Sequence, residues 1–531
     1  MADPKKLTAY DTTPYPSQAH PTTHIRVLET TGALFGMSPK PISRCRVLEL
    51  GCASGMNLVP QALDFPKSEF LGIDLSSRQI GEAKRLAKDL GAKNVEFRHA
   101  DIMEVDASWG EFDYIICHGI LSWVPDEVQE KIFGIFQTNL APQGVAIVSY
   151  NTYPAWHSVE IVRNAMAFHA SHFSSPQERL EHAVAFARFM AEYGPKESPL
   201  TAIFKQESAI TLAQDKGYVA HEYLETCNRP FYFMQIAGMA KEHALQYLGE
   251  PTFALMLLDN YPIPDDIGQM IRAMPLLKQE QYIDFFSYRR FRSTMLCRQE
   301  VALDRSLGSE DLMRFHFSLG ARDPDELKNV DPADGNSLKM TFPVLGFTVT
   351  LEVSDPLVKA AMVHLYRERP RYVSCEELWE KAVSLSKVKP APKRDDPKRG
   401  LRALADSLVI PFSRGVLNIC LTPPRLTTRI AERPRISDIA QWQIARSSAV
   451  VSPLHNTHIL DPVMTHILRR LDGYHDRKQL AKSLDLGVKL GQFSLKQDDA
   501  ASGGSDRPEF FEHIVDECLD RVMQFGLLVE N

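Results

Sequence analysis

The run Arg46 to Gly55, reading RVLELGCASG, limits the fold more than any other stretch, because an apolar strand enters a turn bounded by two glycines. Gly51 and Gly55 let the backbone bend tightly and approach a ligand, and a helix starting near Met56 would point its unpaired N–H groups into the same cavity. A dinucleotide turn would read GxGxxG. Here Cys52, Ala53 and Ser54 fill the gap and Glu49 precedes the glycines, which suits a cofactor without phosphates. Strand patterns recur at 69–73, 95–99, 112–117 and 145–150, with the turn Leu-Ala-Pro-Gln-Gly at 140–144 leading into the last. Between them lie helical patterns such as the one that Ser76-Ser77 caps and Gly91 ends. This alternation predicts a parallel, doubly wound α/β sheet whose crevice lies beyond the carboxyl ends of the strands. Asp74 ends the second strand, where a carboxylate can accept both hydroxyls of a ribose, and Asp101 follows the third.

At 531 residues the chain is too long for one core. Its 67 acids exceed its 60 bases, a formal charge of −7 that gives no general attraction to phosphate backbones and disfavours nucleic acid as a partner. The N-terminus lacks the apolar core of a signal peptide and no run approaches a membrane span, so a cytoplasmic protein without membrane insertion is expected. The eight cysteines are scattered without a C-x-x-C pair, and neither zinc nor any other metal is expected.

Residues 1–40 form an aromatic and proline-rich segment placed to cover a cofactor, and 41–155 form the Rossmann-like domain. The pattern over 156–300 is helical, and 301–430 and 431–531 each read as winged-helix-like α+β units opened by Asp355-Pro356 and Asp461-Pro462. Acids exceed bases over 431–531, so a protein-facing role is expected for that unit. The loops after strands four and five carry His118 and Trp123, then Asn151, Tyr153 and Trp156. Aromatic rings attract a cationic head, and hydroxyl and amide groups orient a lone pair, so this pair of loops suits an amine acceptor; packing is the competing role of the tryptophans.

The ordered glycines, Glu49, Asp74, Asp101 and the turn at 140–144 resemble the class I S-adenosylmethionine methyltransferases. The phrases YDTTPYPS at 10–17, HGILSWVP at 118–125, SYNTYPAW at 149–156, HEYLE at 221–225 and RFRSTMLCR at 290–298 resemble the bacterial protein-lysine methyltransferases first recognised as modifiers of rickettsial outer-membrane proteins, which carry a methyltransferase regulatory domain and a winged-helix-like domain. The resemblance implies S-adenosyl-L-methionine as cofactor, S-adenosyl-L-homocysteine as product, a protein lysine as acceptor, and a homodimer formed through the helical domain. It implies cofactor contacts from Tyr15, Glu49, Gly51, Gly55, Asp74, Leu75, Asp101, Ile102 and His118, and catalytic contacts from Tyr153, Asn151, His118 and Trp123. Leu121 stands where tyrosine is usual, which would remove a hydroxyl from the acceptor side. A small-molecule methyltransferase and a cofactor-binding regulator without turnover are the alternatives.

Overall fold

The computed structural model describes residues 18–212, 214, 216–320, 325–344, 347–388, 398–494 and 508–530. The apolar runs read from the sequence form five parallel strands, β1 (Arg46–Leu50), β2 (Glu69–Asp74), β3 (Val95–His99), β4 (Phe112–Cys117) and β5 (Leu140–Asn151). Two more strands, β6 (Leu245–Gly249) and β7 (Phe291–Arg298), complete a sheet of order β3-β2-β1-β4-β5-β7-β6, with β7 antiparallel to both neighbours. The order reverses between β1 and β4, and Glu49, Asp74 and His118 all lie at carboxyl ends around that point.

Three expectations need correction. The span 156–300 is not wholly helical, since β6 and β7 belong to the first sheet; β7 carries the buried Arg292, whose charge masks the alternation that would mark a strand. The helices Ala155–Ala170, Pro176–Tyr193, Pro199–Leu212 and Lys216–Leu224 are an insertion with its own core around Trp156 and Phe204. The turn at 140–144 is a bulge inside β5: Leu140 faces Phe112 while Val145 faces Tyr114. The helix after the glycine turn starts at Val59 rather than Met56, with Pro60 in its first turn, where the missing N–H costs nothing.

The helix Ile25–Leu34 is buried along most of its length because it lies between two domains: Ile25 N–H donates to Gln61 Oε1 at 2.9 Å, and Arg26 Nε donates to the Thr422 carbonyl at 2.7 Å. Beyond β7, a three-stranded sheet of His316–Leu319, Val373–Ser374 and Leu417–Cys420 packs with the helices Pro356–Arg367, Cys375–Ser386 and Arg399–Ser413. The last domain gathers Pro462–Leu468, Arg477–Lys489 and Pro508–Gln524 around one core. Asp355 and Asp461 cap their helices as read, each with proline in the first turn. The last domain rests on the first sheet's helices, where Trp442 Nε1 donates to Asp89 Oδ2 at 3.0 Å. Among the described residues no helix is long and apolar enough to cross a membrane.

Candidate active site

The glycine turn is held from behind. Gly51 and Cys52 N–H both donate to the Ile73 carbonyl at 2.9 Å, so these amides are not offered to a phosphate. Gly51 has φ +73°, and a Cβ there would come within 2.4 Å of Ile120 Cδ1. Gly55 has φ +80° and faces Phe97, 2.7 Å from where its Cβ would lie. Asp74 ties the turn to β2: Oδ2 accepts Ala53 N–H at 2.9 Å and Oδ1 accepts Ser76 N–H at 2.8 Å. Asp101 caps the short turn Ile102–Glu104 by accepting Met103 N–H at 3.0 Å, and Leu75 beside it is about half exposed, at 48%.

Glu49 is buried, and its Oε1 accepts Asn57 Nδ2 at 2.6 Å while Oε2 has no partner. Burial, with the nearby charge of Asp74, pushes its carboxyl up to about 8. A carboxylate oxygen left bare in an enclosed place suits a cationic amine, and three carboxylates around one crevice suit ribose hydroxyls and amino groups rather than phosphates. That donor set fits S-adenosylmethionine. Tyr15 lies outside the described residues.

On the acceptor side, β5 ends in Asn151, whose N–H takes the Ser122 hydroxyl at 2.9 Å as acceptor and whose buried Nδ2 has no partner. Phe231 N–H donates to the Asn151 carbonyl at 2.9 Å, which brings the phrase Pro230 to Phe233 beside the loop. Tyr153 then stacks on His157 at 4.0 Å and meets Tyr232 at 5.1 Å, while its hydroxyl donates to Glu160 Oε1 at 2.8 Å. Burial and Glu160 push this phenol up. His118 lies between His20, 4.1 Å between ring centres, and Phe291, 5.6 Å; its Nδ1 is buried without a partner, and desolvation and His20 push its ring well below the usual range.

Trp123 packs edge-on to the buried Trp156 at 6.1 Å and under Arg163 at 5.7 Å, against the same core as Tyr153, which is the packing alternative raised for both tryptophans. Leu121 is fully buried in the sheet core. Asn57, Tyr232 and Glu160 were not singled out as site residues. The aromatic run Pro230 to Phe233 is a local signal for Tyr232, and a lone polar residue two positions after the glycine turn gives none for Asn57.

Three family models match in order: a methyltransferase domain over 42–208, a predicted methyltransferase regulatory domain over 215–298, and a PKMT C-terminal winged helix domain over 432–527. An uncharacterised protein of Rickettsia prowazekii is 30% identical over 493 residues, covering 92% of this chain and 88% of its own length. The chain belongs to the bacterial PKMT family of S-adenosylmethionine-dependent methyltransferases. The structure of PKMT2 from Rickettsia typhi in complex with AdoHcy superposes with a TM-score of 0.84 at 28% identity, over 97% of this chain and all of that one. In this member of the PKMT family the winged-helix match lies in the last domain, which faces the helix Val59–Asp64 across a cavity lined by Pro60, Leu63, Ser437 and Ile439. A trans-aconitate 2-methyltransferase of Deinococcus radiodurans is 32% identical over 127 residues, but only 24% of this chain takes part.

Proposed function

We propose that this enzyme methylates the side-chain amine of lysine in a protein acceptor. The unpartnered Asn151 amide beside the rim of Tyr153, His157 and Tyr232 carries this reading, because it puts a polar anchor next to rings that favour a cationic head and its alkyl stem. The likeness to PKMT2 supports it. Glu49, Asp74, Leu75, Asp101 and Ile102 would hold the cofactor; when bound, S-adenosylmethionine supplies a methyl already activated by its sulfonium and leaves S-adenosylhomocysteine. Asn151 and Tyr153 orient the amine after it has lost its proton, His118 packs between His20 and Phe291, and Glu160 fixes the Tyr153 hydroxyl. Eight free thiols, seven of them buried, support a reducing cytoplasm, and exposed Phe168, Phe189 and Tyr193 on the helical insertion give the surface on which a homodimer would form.

The test is to incubate the enzyme with methyl-labelled cofactor and bacterial lysate and to hydrolyse the acid-precipitated protein. Label is expected in methyl-lysine; label confined to soluble compounds would replace the protein acceptor with a small molecule, and none in either would favour a regulator.

The raised Glu49 carboxyl gives a second expectation. Free enzyme holds a proton there below about pH 8, and a neighbouring ammonium favours the ionised form, so binding the homocysteine product displaces that proton. Affinity should therefore increase as pH rises toward about 8, and calorimetry in two buffers of different ionisation enthalpy should report proton release that Glu49→Gln lacks. Identical heats for the wild-type enzyme in both buffers would remove Glu49 from the cofactor site.

A further inference from the structure

One side chain of the C-terminal domain enters the cofactor domain. His455 lies in the tight turn between the strands Ala449–Val451 and Thr457–Ile459, with φ +63°, a left-handed conformation uncommon for a residue other than glycine or asparagine. The turn is closed by His455 N–H donating to the Ser452 carbonyl at 2.7 Å and Ser452 N–H to the Asn456 carbonyl at 3.0 Å. This geometry aims the ring inward, where it is 1% exposed, edge-on to His24 at 5.0 Å, with Nε2 2.8 Å from Asn57 Oδ1. Beside it an interdomain cavity of about 250 Å³ runs between Pro60, Leu63 and Leu90 on one side and Ser437, Ile439 and Pro453 on the other. The interface is thus not packed solid around the ring.

Asn57 relays this contact. Its Oδ1 accepts the backbone N–H of His20 at 3.1 Å, a group that can only donate, so its Nδ2 must face Glu49, where it donates at 2.6 Å. His455 Nε2 is then also a donor, a role open to the neutral ring that burial enforces by pushing it down to about 3. Thr23 Oγ1 donates to the His20 carbonyl at 2.9 Å and accepts Asn57 Nδ2 at 3.0 Å, which braces the same amide. With Oε1 of Glu49 fixed in this way, Oε2 is the oxygen left bare.

We propose that His455 is a positioning residue for the cofactor: acting through Asn57, it fixes the Glu49 carboxylate, so that the seating of the C-terminal domain sets cofactor affinity. This rests on the reading of Glu49 as a cofactor contact, and the reach of a domain that follows the methyltransferase sheet in sequence is what makes the site complete.

The test uses the full chain and S-adenosylhomocysteine, titrated by calorimetry, with thermal melting of each variant as a folding control. His455→Asn suits the left-handed turn but is too short to reach Asn57, and His455→Gln can place an N–H near the position of Nε2. His455→Asn is expected to weaken binding roughly 10-fold, the worth of one buried hydrogen bond, and His455→Gln to return to within about two-fold of wild type. A double variant with Asn57→Ala should bind no worse than Asn57→Ala alone, because both changes break one relay. Wild-type affinity in a folded His455→Asn protein, or losses that add in full in the double variant, would overturn the proposal. No binding by the wild-type enzyme would instead overturn the reading of the cofactor site on which it rests.

Discussion

Arg292→Met is expected to destabilise the folded enzyme by about 3–5 kcal/mol, the range for removing one partner from a buried charge cluster. The Arg292 side chain has no solvent exposure; Nη2 lies 2.7 Å from both Glu250 Oε1 and Glu280 Oε2, and Nη1 lies 3.0 Å from Asp284 Oδ2. The guanidinium also stands 4.1 Å over the Phe233 ring. Arg289 alone would then face three carboxylates, two of which it meets at 3.4 and 3.8 Å. Burial pushes Glu280 up to about 7 even with Arg292 present, and raises Asp284.

The sign of the pH effect follows. A carboxyl whose folded pKa lies above its unfolded value of 4.5 binds its proton better in the folded state, so stability falls as pH rises from 4.5 through about 7. Without Arg292 the cluster should hold protons still more tightly, which makes the loss smaller near pH 5.5 and larger near pH 8 on this scale of about one carboxyl. Urea unfolding at the two pH values measures both quantities. A loss below about 1 kcal/mol at either pH would mean that the cluster tolerates an apolar isostere, as some buried ion networks do. The effect reaches the site because Arg292 pairs with Tyr150 in the sheet register and Phe291 with Asn151.

Asp74→Ala is expected to weaken cofactor binding about 100-fold or more, since two charge-assisted hydrogen bonds to ribose hydroxyls are worth roughly 3 kcal/mol or more together. Part of the loss would come from the turn itself, because Asp74 holds Ala53 N–H in a residue with φ +47°. Asp74→Asn separates the two effects: it keeps one acceptor for the turn and loses the charge, so its affinity should fall between the wild-type and alanine values. Equilibrium binding of S-adenosylhomocysteine measures all three. Alanine-variant affinity within about three-fold of wild type, in protein that melts normally, would take Asp74 out of the ribose-binding role.

Much of this protein was determined locally. The βαβ alternation, the glycine turn, the acids at strand ends and the caps Ser76, Asp355 and Asp461 are legible because each depends on a period or a neighbour within a few residues, and the structure places them as read. The loops with His118, Asn151 and Tyr153 were legible for the same reason, as dense polar and aromatic phrases at predicted strand ends. Tertiary structure alone decided that β6 and β7 join the first sheet, that Trp123 packs on Trp156, that Leu121 is buried, and that Tyr232 meets Tyr153. It alone brought His455 to Asn57 across 398 positions of sequence. Such contacts leave no periodic trace, because the burial of a histidine or an arginine is set by the partners that distant strands and domains supply rather than by its own neighbours.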